Sequence, residues 1–334
     1  MTSRSTGRGA ALPEQRPLVF KRLLIFFGYR EFSLLIVIII CIFAFSRISP
    51  NFLTIRNFQS IIRNMPELLL VTAGMTLVLI GGCIDISAES ILGIASIVIG
   101  KLLLENYSAV LAVLAGVAAA FILSSLNGFI VAYLQLPSIV VTLGALYLWR
   151  AVIFLLVAGK WLSGVPRVLD PIAKTMVGYV PLPFIVALFV VMLLEFFYKS
   201  TPFGCHLRAI GTNQYASQLC GLNVKNKIFF TYCIFGILLG IAAVFYVGKY
   251  RNVEMTVAQG MSLEALAAAL IGGTSVSGGS GSFLGCILGV FFVLLLRNAL
   301  ILLHVPSIWD YAVLGGLILV SFGADRFIAR YVES

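Results

Sequence analysis

Asp85 and Glu89 stand four residues apart in an otherwise apolar or small-residue stretch. On a helix they would share one face, and carboxylates held within a membrane are the groups that relay protons in pumps. The same residues also suit a plainer task. Asp85 can cap the start of a helix, with Ser87 and Glu89 in its first turn, where the helix dipole favours negative charge. Arg150 and Glu195 are read either as structural partners or as the flanks of a pore, and Glu264 and Arg297 stand open in the same way.

Other chemistry fails on spacing. Gly100-Lys101 looks like the end of a phosphate loop, but the required first glycine would fall at Ala95. Gly279 and Gly281 open a dinucleotide fingerprint whose third glycine would fall at Leu284. The only histidines are His206 and His304, and no zinc-protease, nucleophile-elbow or paired-aspartate motif occurs. The six cysteines are scattered singly, with no C-x-x-C pair. No catalytic residue, metal or cofactor is expected.

The elements that hold these residues are apolar. Of 334 residues 60% are hydrophobic and 11% charged, against roughly 45–50% and 25% in a soluble domain. With a mean hydropathy of +1.07, the chain reads as an all-α polytopic membrane protein. The formal charge of +10 then points to loops resting on anionic lipid, with no nucleic-acid partner. A basic tail over 1–30 precedes a single transmembrane domain over 31–323 and a short tail over 324–334. About ten spans are expected, near 32–46, 62–82, 88–104, 108–134, 138–158, 181–198, 228–248, 262–276, 283–303 and 308–323. The eighth dissolves into glycine. An even count puts both termini on one side. With that side inside, Lys and Arg number twelve inside against nine outside, the sign expected for cytoplasmic termini.

Small residues mark close packing. Ala112, Gly116, Ala120, Ser124 and Gly128 recur every fourth residue, as do Gly281, Gly285 and Gly289. Glycine pairs interrupt apolar runs at Gly81-Gly82 and Gly272-Gly273, and a Pro-Ser-Ile recurs at Pro137 and Pro306. The pairs hint at an internal repeat, although their separations differ. The 199–227 loop carries its own signal. Thr212 or Asn213 can cap a helix that Gly221 ends in the left-handed conformation, which predicts about two turns. Such a helix suits a grip for a partner protein or a turn lying on lipid headgroups.

In combination these segments resemble the permease subunits of ATP-binding-cassette importers for ribose and related monosaccharides, over roughly 50–323. Gly81 through Ser90 is similar to the family's glycine-pair and Ile-Asp-Leu-Ser element, and Thr142-Leu143-Gly144 with Arg150 to its Thr-Leu-Gly span. The loop resembles the family's in Gly204, Ala209, Gly211, Asn213, Ala216 and Gly221. Leu270 to Ser275, followed by Gly278 to Ser282, is the strongest match. Cys83 and Glu89 stand where glycine is usual, Cys205 where Arg is common and Arg297 where Asn is common.

The resemblance implies a type II importer fold in the bacterial inner membrane. It implies alternating access for a ribose-like pentose, a hexose or a related furanosyl compound. A separate ATP-binding subunit would grip Asn213–Gly221, a periplasmic sugar-binding protein would deliver cargo, and a second permease copy or homologue would complete the channel. Asp85, Ser87, Glu89, Thr142, Thr274, Ser275 and Ser277 become candidates to line the path. Permeases for branched-chain amino acids or nucleosides are the nearest alternative, and a proton-coupled carrier using Asp85 or Glu89 the next.

Overall fold

The computed structural model describes residues 29–306, 308–310, 312–319 and 323. Most of the basic tail and the whole of 324–334 lie outside the described residues.

Five helices form the first half. They are α1 (Tyr29–Ile48), α2 (Ile55–Ile80), α3 (Ala88–Leu104), α4 (Ala109–Tyr133) and α5 (Ser138–Val157). Polar residues set their starts: Thr54 and Ser108 accept from the backbone N–H groups of Asn57 and Leu111, and Pro137 precedes α5. A lid comes next, containing β1 (Leu162–Ser163), a short α6 (Asp170–Ala173), β2 (Met176–Val177) and β3 (Val180–Pro181). The chain continues through α7 (Leu182–Ser200), α8 (Pro202–Thr212), α9 (Gln214–Leu219) and α10 (Val224–Tyr250). It closes with β4 (Asn252–Val253), α11 (Met261–Ile271), α12 (Phe283–Leu302) and helical residues 308–310 and 312–319. β1 pairs antiparallel with β4, and β2 with β3. These strands define one end of the bundle; α8 and α9 define the other.

Seven of the helices are long and apolar enough to cross a membrane. α3, at 17 residues, is mostly buried. The expected span at 262–276 is corrected: α11 stops at Ile271 after only 11 residues. Gly272-Gly273 caps it, with Gly273 at φ +92° and Thr274 N–H returned to the Ala269 carbonyl. α2 ends in the same way. Gly82 sits at φ +77°, and Cys83 N–H returns to the Val78 carbonyl. Only glycine takes that left-handed position without a steric cost.

The two halves stay alike beyond the glycine caps. α3 and α12 come directly after them, and each ends close to a residue with positive φ, Asn106 and His304. The pairing of Pro137 with Pro306 is therefore set aside. Pro137 opens α5, whereas Pro306 opens the element after α12, which by order corresponds to α4. Ser307 lies outside the described residues.

Core packing tracks the small-residue stripes. α10, the central helix, lies against α4 and α2. All five small residues of the α4 stripe are buried. A side chain at Gly116 would run into Ile99, and one at Gly128 would run into Tyr232. Gly285 and Gly289 bring α12 onto the backbone of α11 at Gly272 and Ala268.

Candidate functional site

The 199–227 loop is two helices rather than one. α8 was not expected as a helix; it runs 11 residues from Pro202, a residue whose fixed φ suits a first turn. The short helix is where the spacing put it. Asn213 Oδ1 accepts from Ala216 N–H at 2.9 Å, and α9 covers Gln214–Leu219. Gly221 takes φ +80°, with Leu222 N–H returned to the Ser217 carbonyl.

The family-matched loop residues divide by exposure. Ala209, Asn213, Ala216 and Gly221 are exposed, whereas Gly204 is buried and Gly211 half-buried. The inward pair serves close backbone approach. A Cβ on Gly204 would strike the Tyr198 carbonyl, and one on Gly211 would strike the Ile80 carbonyl and the Gly279 nitrogen. Gly279 N–H itself donates to the Ile80 carbonyl at 2.9 Å. The end of α8 thus sits against the glycine cap of α2 and the Gly278-Gly279 turn that comes after α11. Beyond this contact α9 presents Tyr215 and Leu219, 72% and 73% exposed and four residues apart on one face. Sequence reasoning missed both, although an aromatic and a leucine at that spacing on a capped helix carried the signal.

The path candidates fall into three separate groups. In the first, Asp85 Oδ1 accepts from the backbone N–H and hydroxyl of Ser87, whose Oγ accepts from Asn127 Nδ2 at 2.7 Å. Thr142 donates to the Ser138 carbonyl at 2.8 Å and the Ile84 carbonyl at 3.2 Å. In the second, Glu89 Oε1 meets Arg150 at 2.8 Å and Oε2 accepts from Gly260 N–H at 2.8 Å. Arg150 donates further to the Met255 and Val257 carbonyls, each at 3.1 Å. In the third, Ser275 and Ser277 share a hydroxyl contact at 2.9 Å beside buried Thr274, and Ser277 is exposed.

The geometry decides between the alternatives. Asp85 precedes α3, with Glu89 in its first turn, as the capping alternative has it, so the two do not share a helical face. Arg150 pairs with Glu89, while Glu195 pairs with Lys199 on its own helix. The open pair, Glu264 and Arg297, do meet at 3.1 Å, and Arg297 also reaches Asp310 at 3.5 Å. Among the described residues no cluster of His, Cys, Asp or Glu could hold a metal.

Open space lies toward the strand end. A cavity of about 330 Å³ runs between α2, α10, α11 and α12, and one of about 390 Å³ lies between α2, α10 and the β2–β3 region. Their common wall is Ser60, Asn64, Glu67 and Lys249. Sequence reasoning passed over Glu67, although a carboxylate inside the expected 62–82 span gave the same signal as Glu89.

The model of the family described as "Branched-chain amino acid transport system / permease component" matches residues 57–322. The chain belongs to this permease family. Among its relatives is the autoinducer 2 import system permease protein LsrC of Yersinia pseudotuberculosis, 28% identical over 294 residues, covering 87% of this chain and 83% of the relative. The protein of the same name from Salmonella paratyphi B is 28% identical over 283 residues, covering 84% and 82%. No solved structure matches. The matched segment takes in both glycine caps, α9, the three polar groups and both cavities, so the permease is a multi-pass all-α membrane protein whose family region contains every one of these sites.

Proposed function

We propose that this permease is the membrane subunit of an ATP-driven importer that carries a monosaccharide-type solute across the bacterial inner membrane. The cargo class is a ribose-like pentose, a hexose or a related furanosyl compound. The relatives' names add autoinducer 2 as a candidate cargo. The observation that carries the reading is α9: a capped six-residue helix with two apolar side chains in the open, on a chain with no nucleotide motif of its own.

In this reading the loop end is cytoplasmic, both termini are cytoplasmic, and about ten passes cross the membrane in a type II arrangement. The ATP-binding subunit grips α9 through Tyr215 and Leu219, with Ala209, Asn213, Ala216 and Gly221 around them. Gly204 and Gly211 tie the grip to the bundle. Closure of the ATPase pulls on α8, which bears directly on the ends of α2 and α11. The glycine breaks there are the hinge of alternating access, with Asp85, Ser87, Glu89, Thr142, Thr274, Ser275 and Ser277 beside the moving backbone. Irregular backbone is tolerated at such depth only against protein or water. A sugar-binding protein docks at the strand end, and a second permease copy or homologue completes the channel.

The family description supports one rival, branched-chain amino acid import. Uptake by cells expressing the permease with its neighbouring subunits separates the readings. Labelled D-ribose or autoinducer 2 enters, leucine neither enters nor competes, and uptake survives a protonophore but not loss of ATP. Uptake that instead collapses with the protonophore while ATP persists favours a proton-coupled carrier.

A further inference from the structure

We infer that the two strand-end cavities form one binding vestibule for a neutral polyhydroxylated solute, partitioned by the Glu67–Lys249 pair. The inference rests on the proposed import of a sugar-type cargo and names where in this chain that cargo first rests.

Burial is the first argument. Glu67 lies 12 residues into the 26-residue α2, beside Lys249 in the last turn of α10, and so toward the strand end of the bundle. A carboxylate there is costly unless it faces a partner, water or cargo. Glu67 is only 3% exposed. Its Oε1 lies 3.4 Å from Lys249 Nζ, a long contact, and its Oε2 has no hydrogen-bond partner. Lys249 is meanwhile held by the Arg63 carbonyl at 3.0 Å and Asn64 Oδ1 at 2.8 Å. A buried oxygen left unmet costs stability, and a solute hydroxyl supplies the missing donor.

Composition is the second. The inner cavity carries Glu67 and Glu264 against Lys249 and Arg297, two negative and two positive charges, so it is balanced and selects no ion of either sign. Between these charges stand Asn64 and Asn298, each with a second amide N–H beyond its bond to Ser60 or Asn57, and the rings of Tyr246 and Tyr250. Amides and carboxylates suit vicinal hydroxyls, and aromatic faces suit the C–H side of a sugar ring. The inner volume of about 330 Å³ falls in the range of small-molecule sites, roughly 300–1,000 Å³.

Position is the third. The outer cavity is walled by Lys174, Met176 and Pro181 of the strand-end lid, while the inner one reaches α11 and Glu264. The partition is a single weak ion pair, whose lysine rides on the last turn of α10. A hydroxyl approaching Glu67 competes with Lys249 for it and so opens the way inward.

Cysteine accessibility tests this on the full chain in membranes. Cys205 and Cys220, the two exposed cysteines, are replaced by Ser, and Ser60→Cys and Asn298→Cys report on the wall. Both react with a small charged methanethiosulfonate reagent, and Leu114→Cys, on the exposed apolar side of α4, does not. D-ribose, D-xylose, D-glucose or D-galactose slows the reaction about tenfold, and leucine does not. Glu67→Gln raises the protecting sugar concentration about tenfold, the scale of one hydrogen bond to a charged group; Asn64→Ala does so independently should Glu67→Gln misfold. Unreactive cysteines would overturn the vestibule, while protection by no sugar, or by leucine instead, would overturn its ligand class. The ATPase takes no part in the labelling, so a failed import assignment leaves this readout intact.

Discussion

Two ion pairs buried among the described residues are built differently. Glu89 has both oxygens engaged, one by Arg150 and one by Gly260 N–H, while Arg150 Nη1 donates to two backbone carbonyls. Glu67 has one oxygen at 3.4 Å from Lys249 and the other unmet, with cavities on either side. The first pair is a clamp. It pins α3, α5 and the loop leading into α11 into one body, and toward the loop end the glycine contact at Ile80, Gly211 and Gly279 closes backbone against backbone. The second pair is loose and stands where the helices part. The proposed transport uses both regions, the stiff one to carry force from α9 and the loose one to admit a solute.

Removing one partner from each pair measures the difference most sharply. Arg150→Ala strands Glu89 in a dry site and lowers stability by about 4 kcal/mol, read as a drop in the unfolding midpoint of the detergent-purified chain. Combining it with Glu89→Gln recovers most of that loss, as a double-mutant cycle would register. A cost below about 1 kcal/mol for Arg150→Ala would mean that the clamp is open to water. Gly211→Val comes second, at about 3 kcal/mol, because the new side chain meets backbone at both Ile80 and Gly279. An unchanged midpoint there would mean that the three segments do not touch. Lys249→Met is milder, about 2 kcal/mol, since Glu67 loses one long contact where Glu89 loses a close one. A cost equal to that of Arg150→Ala would erase the contrast. Smallest is Tyr215→Ala with Leu219→Ala, within about 0.5 kcal/mol because both side chains are exposed. That variant keeps its fold and loses its ATPase partner in co-purification.

Local features of this arrangement were legible in the sequence and long-range ones were not. The ends of α3, α4 and α5 fall within a residue of the hydropathy limits, because apolar runs stop where polar caps begin. Asn213 and Gly221 marked α9 at both ends, since cap chemistry is written within a few residues. The stripe on α4 named its packing face because small residues alone allow that approach. Pairing was another matter. Glu89 lies 61 residues from Arg150 and 171 from Gly260, and hydropathy does not say which spans are neighbours in an apolar medium. The same gap left the partner of Arg150 and the setting of Asp85 open between alternatives. α11 was overrun because a crossing helix needs roughly 20 residues, whereas Gly272-Gly273 end its hydrogen bonding after 11. Glu67 was overlooked because the space around it comes from four helices together.

The central claim is that α9 couples this permease to an ATP-hydrolysing partner. Mild-detergent purification of the tagged chain from cells that carry its neighbouring genes, with mass spectrometry of what accompanies it, tests that claim most directly. The account predicts a stoichiometric subunit carrying phosphate-loop motifs, retained by the wild-type chain and lost from the Tyr215→Ala/Leu219→Ala variant at equal yield of folded permease. A chain that purifies alone and transports sugar in liposomes without ATP would contradict it.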